Sequence, residues 1–254
     1  MTAPTRRERL RTATVSEIKD GARRLLVTGG PPAISLRAIA RDMGMTAPAI
    51  YRYFPSLEAL VVELAGDLYD ELRHQVQAAR DAAGDDPLTQ LAAMSRAFRA
   101  WSVAHPAEFM LAFGSPVPGI DAFEEACVDE THPGARFGAV FLRSFLDLWH
   151  RTPFPTPPAE LLHQRLAGSL GPLMRSHGEL PVEVAYVFLT GWASLYGIVS
   201  MEVYQHLRWA VSDPDALFEV ELSAFLARLS PGATPPGTVR ARLPEHERRD
   251  AEPG

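Results

Sequence analysis

Apolar residues recur with helical spacing along most of the chain, and no stretch alternates apolar and polar positions in the way that is typical of β-strands. Clusters of glycine and proline separate the periodic stretches and predict turns between them. The pattern therefore predicts an all-α fold. We expect a first helix from residue 14 to the Gly-Gly-Pro-Pro break, a loop at 115–119, and helices over 36–43, 47–54, 57–83, 88–104, 106–113, 135–151, 160–176, 181–209 and 214–229.

The stretch 35–60 has the spacing of a helix-turn-helix followed by a further helix. Apolar positions at i, i+3, i+4 and i+7 form one face over 36–43, and Ser35 is placed to cap that helix. Gly44 can adopt the left-handed conformation that closes a helix, and Thr46 can cap the next one. Two helices joined by so short a turn are the arrangement that places a second helix in the major groove of DNA.

The N-terminal helices need support from the rest of the chain. A bundle over 14–54 has too small a core to be stable alone, so the long helix that Ser56 can cap must brace it. Thr14 and Glu17 have the spacing of a capping box and set the first boundary. We predict a basic flexible arm at 1–13, a helix-turn-helix domain at 14–56, a larger helical body at 57–230, and a disordered tail at 231–254 that is rich in Pro, Arg and Glu.

The charge of the chain is divided unevenly. The net charge is −6, but residues 1–56 hold ten Arg and Lys against four Asp and Glu, a net of +6, whereas the remainder holds 15 against 27, a net of −12. A basic head on an acidic body is expected of a protein that binds DNA phosphates through its head.

Composition excludes several other classes of protein. With 46% hydrophobic residues the chain can bury a sizeable core, yet it has no run of about 18 apolar residues and no apolar secretion signal at its start. We predict a cytoplasmic protein with no membrane partner. The single cysteine, Cys127, excludes an intramolecular disulfide and a cysteine-cluster zinc site, and we interpret it as a packed thiol.

Residues 36–60 closely resemble the DNA-binding domain of TetR/AcrR-type transcriptional regulators. The specific features are the small-Pro-Ala-apolar-Tyr core at 47–51, the Tyr-Phe pair that follows it, and the Glu-Ala-Leu at 58–60. One departure is Leu57, where the family usually has a lysine that touches a DNA phosphate. The resemblance implies an N-terminal three-helix DNA-binding domain and a larger helical body that binds a ligand and dimerises.

The body carries a second resemblance. The segment 192–197 is similar to the Trp-x-x-x-His-Gly signature of one group of C-terminal domains in the same family, with Tyr196 in place of histidine. Trp101, His105, Pro106 and Phe109 look like the second helix of that group.

The helical geometry and the resemblance together predict the DNA contacts, which are Arg37, Thr46, Ala47, Pro48, Ala49, Tyr51, Arg52 and Tyr53. With Ile50 turned inward, Arg37 and Arg52 are expected to hydrogen-bond bases, and Arg37 matches a base-reading arginine in family members. The two alanines can offer only apolar contact, such as with a thymine methyl group. Thr46 and the tyrosines are expected to hold phosphates.

Aromatic residues at helical spacing in the body permit either a solid core or a lined cavity, and the family resemblance favours a small-molecule pocket. The predicted ligand-binding residues are Phe98, Trp101, His105, Phe109, Phe141, Phe188, Trp192 and Tyr196.

Common catalytic motifs are absent from the sequence, and no cofactor is predicted. Glu71/His74 and Glu160/His163 have the Glu-x-x-His spacing of di-iron bundles, which also need two further inward glutamates. His74 lies about 100° from the centre of its leucine stripe, so we expect it to face solvent and interpret both pairs as surface residues.

The helix over 181–209 is apolar on more than one side and must be covered on both faces. Together with 214–229 it can form a four-helix interface about a two-fold axis, so we predict a homodimer through residues 181–229. The sequence thus favours a homodimeric repressor that binds a palindromic double-stranded operator and is released by a small, largely apolar effector. A helix-turn-helix regulator without an effector and a helical-bundle metalloenzyme remain as alternatives.

Overall fold

The computed structural model describes residues 5–114, 133–166, 168–170, 173 and 180–229, and within them it contains α-helices and no strands. The helices are α1 Arg6–Gly29, α2 Leu36–Asp42, α3 Ala47–Ile50, α4 Leu57–Ala82, α5 Pro87–Ala104, α6 Pro106–Phe109, α7 Pro133–Arg151, α8 Ala159–Leu166, α9 Val182–Val203 and α10 Pro214–Leu229. A 3₁₀ turn at Pro31–Ala33 follows α1, and a π-helical turn at Met110–Gly114 continues α6. The predicted all-α class is confirmed.

The first helix begins eight residues earlier than predicted. A capping box starts it at Arg6, because the Thr5 N–H donates to Glu8 Oε2 (2.6 Å) and the Glu8 N–H donates to Thr5 Oγ1 (3.3 Å). Thr14 lies inside the helix, where its hydroxyl donates to the Leu10 carbonyl (3.0 Å). The prediction of a flexible arm is therefore wrong for 6–13, since an arginine-rich segment without an apolar stripe still has high helix propensity once it is capped. Residues 1–4 lie outside the described residues.

Two other helices end several residues before their predicted ends. The helix α3 ends at Ile50, and tight turns continue the chain to Phe54, whose N–H donates to the Ile50 carbonyl (3.1 Å). The turns go no further because Pro55 disfavours the α conformation in Phe54, the residue before it. The helix α9 stops at Val203 because Gln205 adopts a left-handed φ of 61° and the His206 N–H returns to the Met201 carbonyl (2.8 Å).

The short-range signals around the helix-turn-helix are largely confirmed. The Ser35 hydroxyl accepts from the Ala38 N–H (3.4 Å), the Ser56 hydroxyl accepts from the Ala59 N–H (3.2 Å), and Gly44 has a φ of 65°. Thr46 precedes α3 as expected, but its side chain makes no capping hydrogen bond.

The helix α4 is the structural axis of the protein. It buries a stripe from Leu60 to Val76, and it packs against α1 of the head and against α5 and α7 of the body. The first half of α4 therefore braces the small head, and the second half forms part of the core of the body. The predicted loop at 115–119, Cys127 and the tail at 231–254 lie outside the described residues, as does most of the predicted helix 160–176 beyond Leu166.

Candidate DNA-binding face and effector cavity

The head separates a buried face from an exposed one. Ile39, Ile50 and Phe54 are each 1% exposed or less and hold α2, α3 and the following turn against α1. The predicted DNA contacts lie on the other side. Arg37, Thr46, Ala47, Pro48, Tyr51 and Arg52 are exposed, and Ala49 and Tyr53 are half-buried. Six of the eight predicted residues are therefore accessible to a partner, and all eight lie on α2, on α3 or in the turns beside α3.

The ring of Tyr53 is covered by the first helix. The Arg11 guanidinium carbon lies 5.3 Å from the centroid of that ring, a cation–π arrangement. This contact places the start of α1 beside the helix-turn-helix face, which the prediction of a flexible arm did not anticipate.

A polar network joins the head to the body. Arg23 of α1 donates from Nη1 to Glu71 of α4 (2.7 Å) and from Nε to Glu108 of α6 (3.1 Å), and the Trp101 indole N–H donates to Glu71 (2.8 Å). Burial acts to raise the pKa of Glu71, but the hydrogen bonds from Arg23 and Trp101 outweigh it, so the pKa lies below its ordinary value. Lys19 adds an ion pair with Asp67 of α4 (2.5 Å).

This network corrects the interpretation of the Glu-x-x-His pairs. Glu71 is not a surface residue but a half-buried partner of Arg23. His74 is exposed, as predicted, and so are Glu160 and His163. No group of three or more His, Cys, Asp or Glu in the part of the chain that the structure describes could hold a metal ion.

Five of the predicted ligand residues lie in packed surroundings. Phe98 and Phe109 are fully buried, and their rings lie 5.7 Å and 5.1 Å from that of Phe113. Trp101 stacks on His105 (5.1 Å) next to the head–body network. The Tyr196 hydroxyl donates to the Phe113 carbonyl (2.7 Å). None of these five residues, Phe98, Trp101, His105, Phe109 and Tyr196, lines the apolar cavity of the body.

That cavity has a volume of about 340 Å³ and lies between α5, α7, α9 and α10. Of the predicted ligand residues, Phe141, Phe188 and Trp192 line it. Sequence reasoning missed the wall that α10 supplies through Phe218, Leu222 and Phe225, because that helix was assigned to the dimer interface alone. The apolar spacing of these residues is the signal that could have identified them.

Glycine and ion pairs shape the walls of the cavity. A Cβ on Gly191 would lie 2.5 Å from Cζ of Phe225, so only glycine permits this ring to pack against α9. Arg99 of α5 binds Glu202 of α9 (2.7 Å) and Asp215 of α10, and Arg96 binds Glu219 of α10 (2.7 Å). Both α9 and α10 are thereby held to α5 beside the cavity.

A continuous set of contacts runs from the cavity to α4. Trp192 in the cavity wall stacks on Tyr196 (6.0 Å), which bonds the Phe113 carbonyl of the π-helical turn. The preceding carbonyl of that turn, that of Ala112, accepts a hydrogen bond from the Tyr69 hydroxyl of α4 (2.6 Å). A π-helical turn shifts the backbone hydrogen-bond pattern, and here two tyrosines bond its carbonyls.

Among the described helices, Val182–Val203 alone is long and apolar enough to cross a membrane, judged by length and composition only. In the structure it packs against α5, α7, α8 and α10.

Comparison with known proteins gives consistent matches over both parts of the chain. A family profile described as bacterial regulatory proteins, tetR family, matches residues 18–64, and one described as tetracyclin repressor-like, C-terminal domain, matches residues 91–225. The chain is similar to the HTH-type transcriptional regulator Rv1816 of Mycobacterium tuberculosis, with 32% identity over 222 residues that cover 85% of this chain and 92% of that protein.

Two solved structures extend the comparison to the fold. The crystal structure of the regulatory protein SCO4313 is 32% identical, has a TM-score of 0.68, and covers 88% of this chain and 100% of its own. That of RolR in complex with the ligand resorcinol is 15% identical, has a TM-score of 0.53, and covers 87% of this chain and 90% of its own. At that identity the second likeness concerns the fold alone.

Proposed function

Because this chain belongs to the TetR family of helix-turn-helix transcriptional regulators, we propose that it is a repressor that binds a palindromic operator as a homodimer and releases it when a small, largely apolar molecule binds in the body. The family is one of DNA-binding regulators and not of enzymes. The observation that carries the proposal is the exposed helix-turn-helix face on a head of net charge +6, connected through α4 to a body that contains an apolar cavity.

We propose that some head residues contact bases and others contact phosphates. Arg37 and Arg52 have the hydrogen-bond donors needed to recognise guanine edges, whereas Ala47 and Ala49 can contact only apolar groups such as a thymine methyl. Thr46, Tyr51 and Tyr53 are proposed to hold phosphates, and Pro48 to pack against the DNA at the first turn of α3.

The outer faces of α9 and α10 support a homodimer. On α10, Val220 is 61% exposed, and Ala224 and Ala227 continue the same face at i+4 and i+7. On α9, Met201 is 44% exposed. Small and apolar residues on two adjacent helices permit close packing against their copies about a two-fold axis, which would place two heads in successive major grooves about 34 Å apart.

The cavity is the proposed effector site. Its volume of about 340 Å³ falls in the range of small-molecule pockets, and its walls are mainly aliphatic and aromatic. Ser95, Ser194, Glu221 and Arg228 are the polar residues of its lining, so the effector is proposed to be apolar with a polar end. We also propose that the body is a C-terminal domain of the Trp-x-x-x-His-Gly group. We also propose that the protein acts in the cytoplasm, where its operator is found.

Three measurements on the full-length protein test the proposal. Selection from a pool of random duplexes should enrich an inverted repeat, and sedimentation at micromolar concentration should give a dimer. A thermal-shift screen of small, largely apolar compounds should identify one that raises the melting temperature, because a ligand that binds only the native state stabilises it. The same compound should weaken binding to the selected duplex.

Each result can contradict one part of the proposal. A strictly monomeric protein would exclude the α9–α10 dimer, and enrichment of no sequence would exclude operator binding. If no compound shifts the melting temperature, the alternative of a regulator without an effector is favoured.

A further inference from the structure

We propose that the first two turns of α1, residues 6–13, form a phosphate clamp that binds the DNA backbone beside the helix-turn-helix face. This segment, here called the α1 extension, lies outside the head core and was expected to be a flexible arm. The inference rests on the proposed function as a DNA-binding regulator, and it adds a second interaction surface with duplex DNA as its partner.

The α1 extension is a preformed helix. The capping box of Thr5 and Glu8 fixes its start, and the helix continues without interruption into the buried stripe of the head at Ile18 and Ala22. A helix that is already ordered in the free protein presents its side chains to DNA without the cost of ordering a flexible arm.

The direction of the α1 extension places it next to the helix-turn-helix. Arg7 and Arg11 are four residues apart and share the face that continues through Thr14 to Ile18, which packs in the head core. That face is therefore the one directed towards the rest of the head. The position of Arg11 over the ring of Tyr53, at 5.3 Å, fixes this orientation directly.

The chemistry of the α1 extension suits phosphates. It carries four arginines and one glutamate, and all nine residues from Thr5 to Ala13 are exposed. A guanidinium group that stacks on an aromatic ring keeps the N–H donors at its edge, which match the oxygens of a phosphate. Because phosphates carry no sequence information, the α1 extension should raise affinity for any duplex and leave base preference to the helix-turn-helix.

The salt dependence of DNA binding tests this role. The double variant Arg7→Ala/Arg11→Ala should keep the helix, since alanine has the highest helix propensity, and circular dichroism checks that it does. Affinity is measured between about 50 and 200 mM salt for the duplex selected by the unmodified protein and for a scrambled duplex of equal length. The control variant Arg143→Ala/Arg165→Ala removes the same charge from exposed positions of α7 and α8.

Log K falls as log salt rises, and loss of two phosphate contacts per subunit should make this slope shallower by about 3 to 4 for a dimer, equally on both duplexes. The control variant should keep the slope of the unmodified protein. An unchanged slope in Arg7→Ala/Arg11→Ala overturns the clamp, and so does a loss confined to the selected duplex, which would indicate base recognition. If the unmodified protein bound neither duplex, the proposed function itself would fail.

Discussion

Arg37 is the residue on which base recognition depends most in the proposed complex. It is exposed at the start of α2. The neighbouring helix α3 carries Ala47 and Ala49, which have no hydrogen-bonding side-chain group. Arg37→Ala should cost about 1–3 kcal/mol on the selected operator and relax the preference at one base pair, as loss of a bidentate arginine–guanine contact does. Tyr51→Phe should instead weaken all sequences alike. If Arg37→Ala weakened operator and random DNA equally, Arg37 would be a phosphate contact.

Gly191 is the residue that tests the cavity. Gly191→Ala places a methyl group against the ring of Phe225, so the ring must move and stability should fall by about 1–3 kcal/mol. We expect a lower melting temperature and loss of the thermal shift by any compound that stabilises the unmodified protein, with binding to the selected duplex retained. Gly138→Ala is the control, because a Cβ there has no atom within 4 Å. If the compound raised the melting temperature of Gly191→Ala as much as that of the unmodified protein, it would bind outside this cavity.

At the scale of secondary-structure elements, the contact between α1 and α4 depends on the charge of Glu71. Its pKa is lowered in the folded protein, so its contribution to stability is present above the ordinary value of 4.5 and is lost as the pH falls through the folded pKa. Glu71→Gln should lower the free energy of unfolding by about 1 kcal/mol at pH 7, as expected of a partly exposed ion pair with good geometry. Urea unfolding should show this difference shrinking below pH 4.5.

The exposed Glu17 of α1 offers a control for that measurement. Glu17→Gln makes the same change of charge on α1, at an exposed position, and its effect should stay within about 0.5 kcal/mol at every pH. A deficit of Glu71→Gln that persisted unchanged at low pH would mean that side-chain shape, and not the ion pair, accounts for it.

At the scale of the whole molecule, α4 is the long helix that leads from the head into the core of the body, and it packs against α1, α5 and α7. A ligand that favours one position of α4 should change the separation of the two heads in a dimer. Spin labels on Asp42→Cys, in a Cys127→Ser background, should report a shift of the inter-head distance when a stabilising compound is added. Tyr69→Phe removes the hydroxyl that bonds the π-helical turn and should reduce this shift. Release of the operator at an unchanged inter-head distance would contradict the mechanism.

The sequence by itself determined the features that depend on neighbouring residues. The caps at Ser35 and Ser56, the left-handed Gly44 and the inward Ile50 all follow from spacings of a few residues, and each is present in the structure. Because helices form through local hydrogen bonds and bury one periodic face, such features can be recognised before the fold is known.

Only the tertiary structure decided which residues from distant parts of the chain meet. The sequence predicts Glu71 at the surface, but in the structure it binds Arg23, which is 48 residues away. The sequence likewise predicts a flexible arm at 1–13, but Arg11 lies on a helix and packs over the ring of Tyr53. The aromatic residues divided in the same way: Phe98 packs in a solid core, whereas Trp192 lines the cavity. Helical spacing places a side chain on a face of its own helix, but whether that face meets a ring, an arginine or empty space depends on how the helices pack.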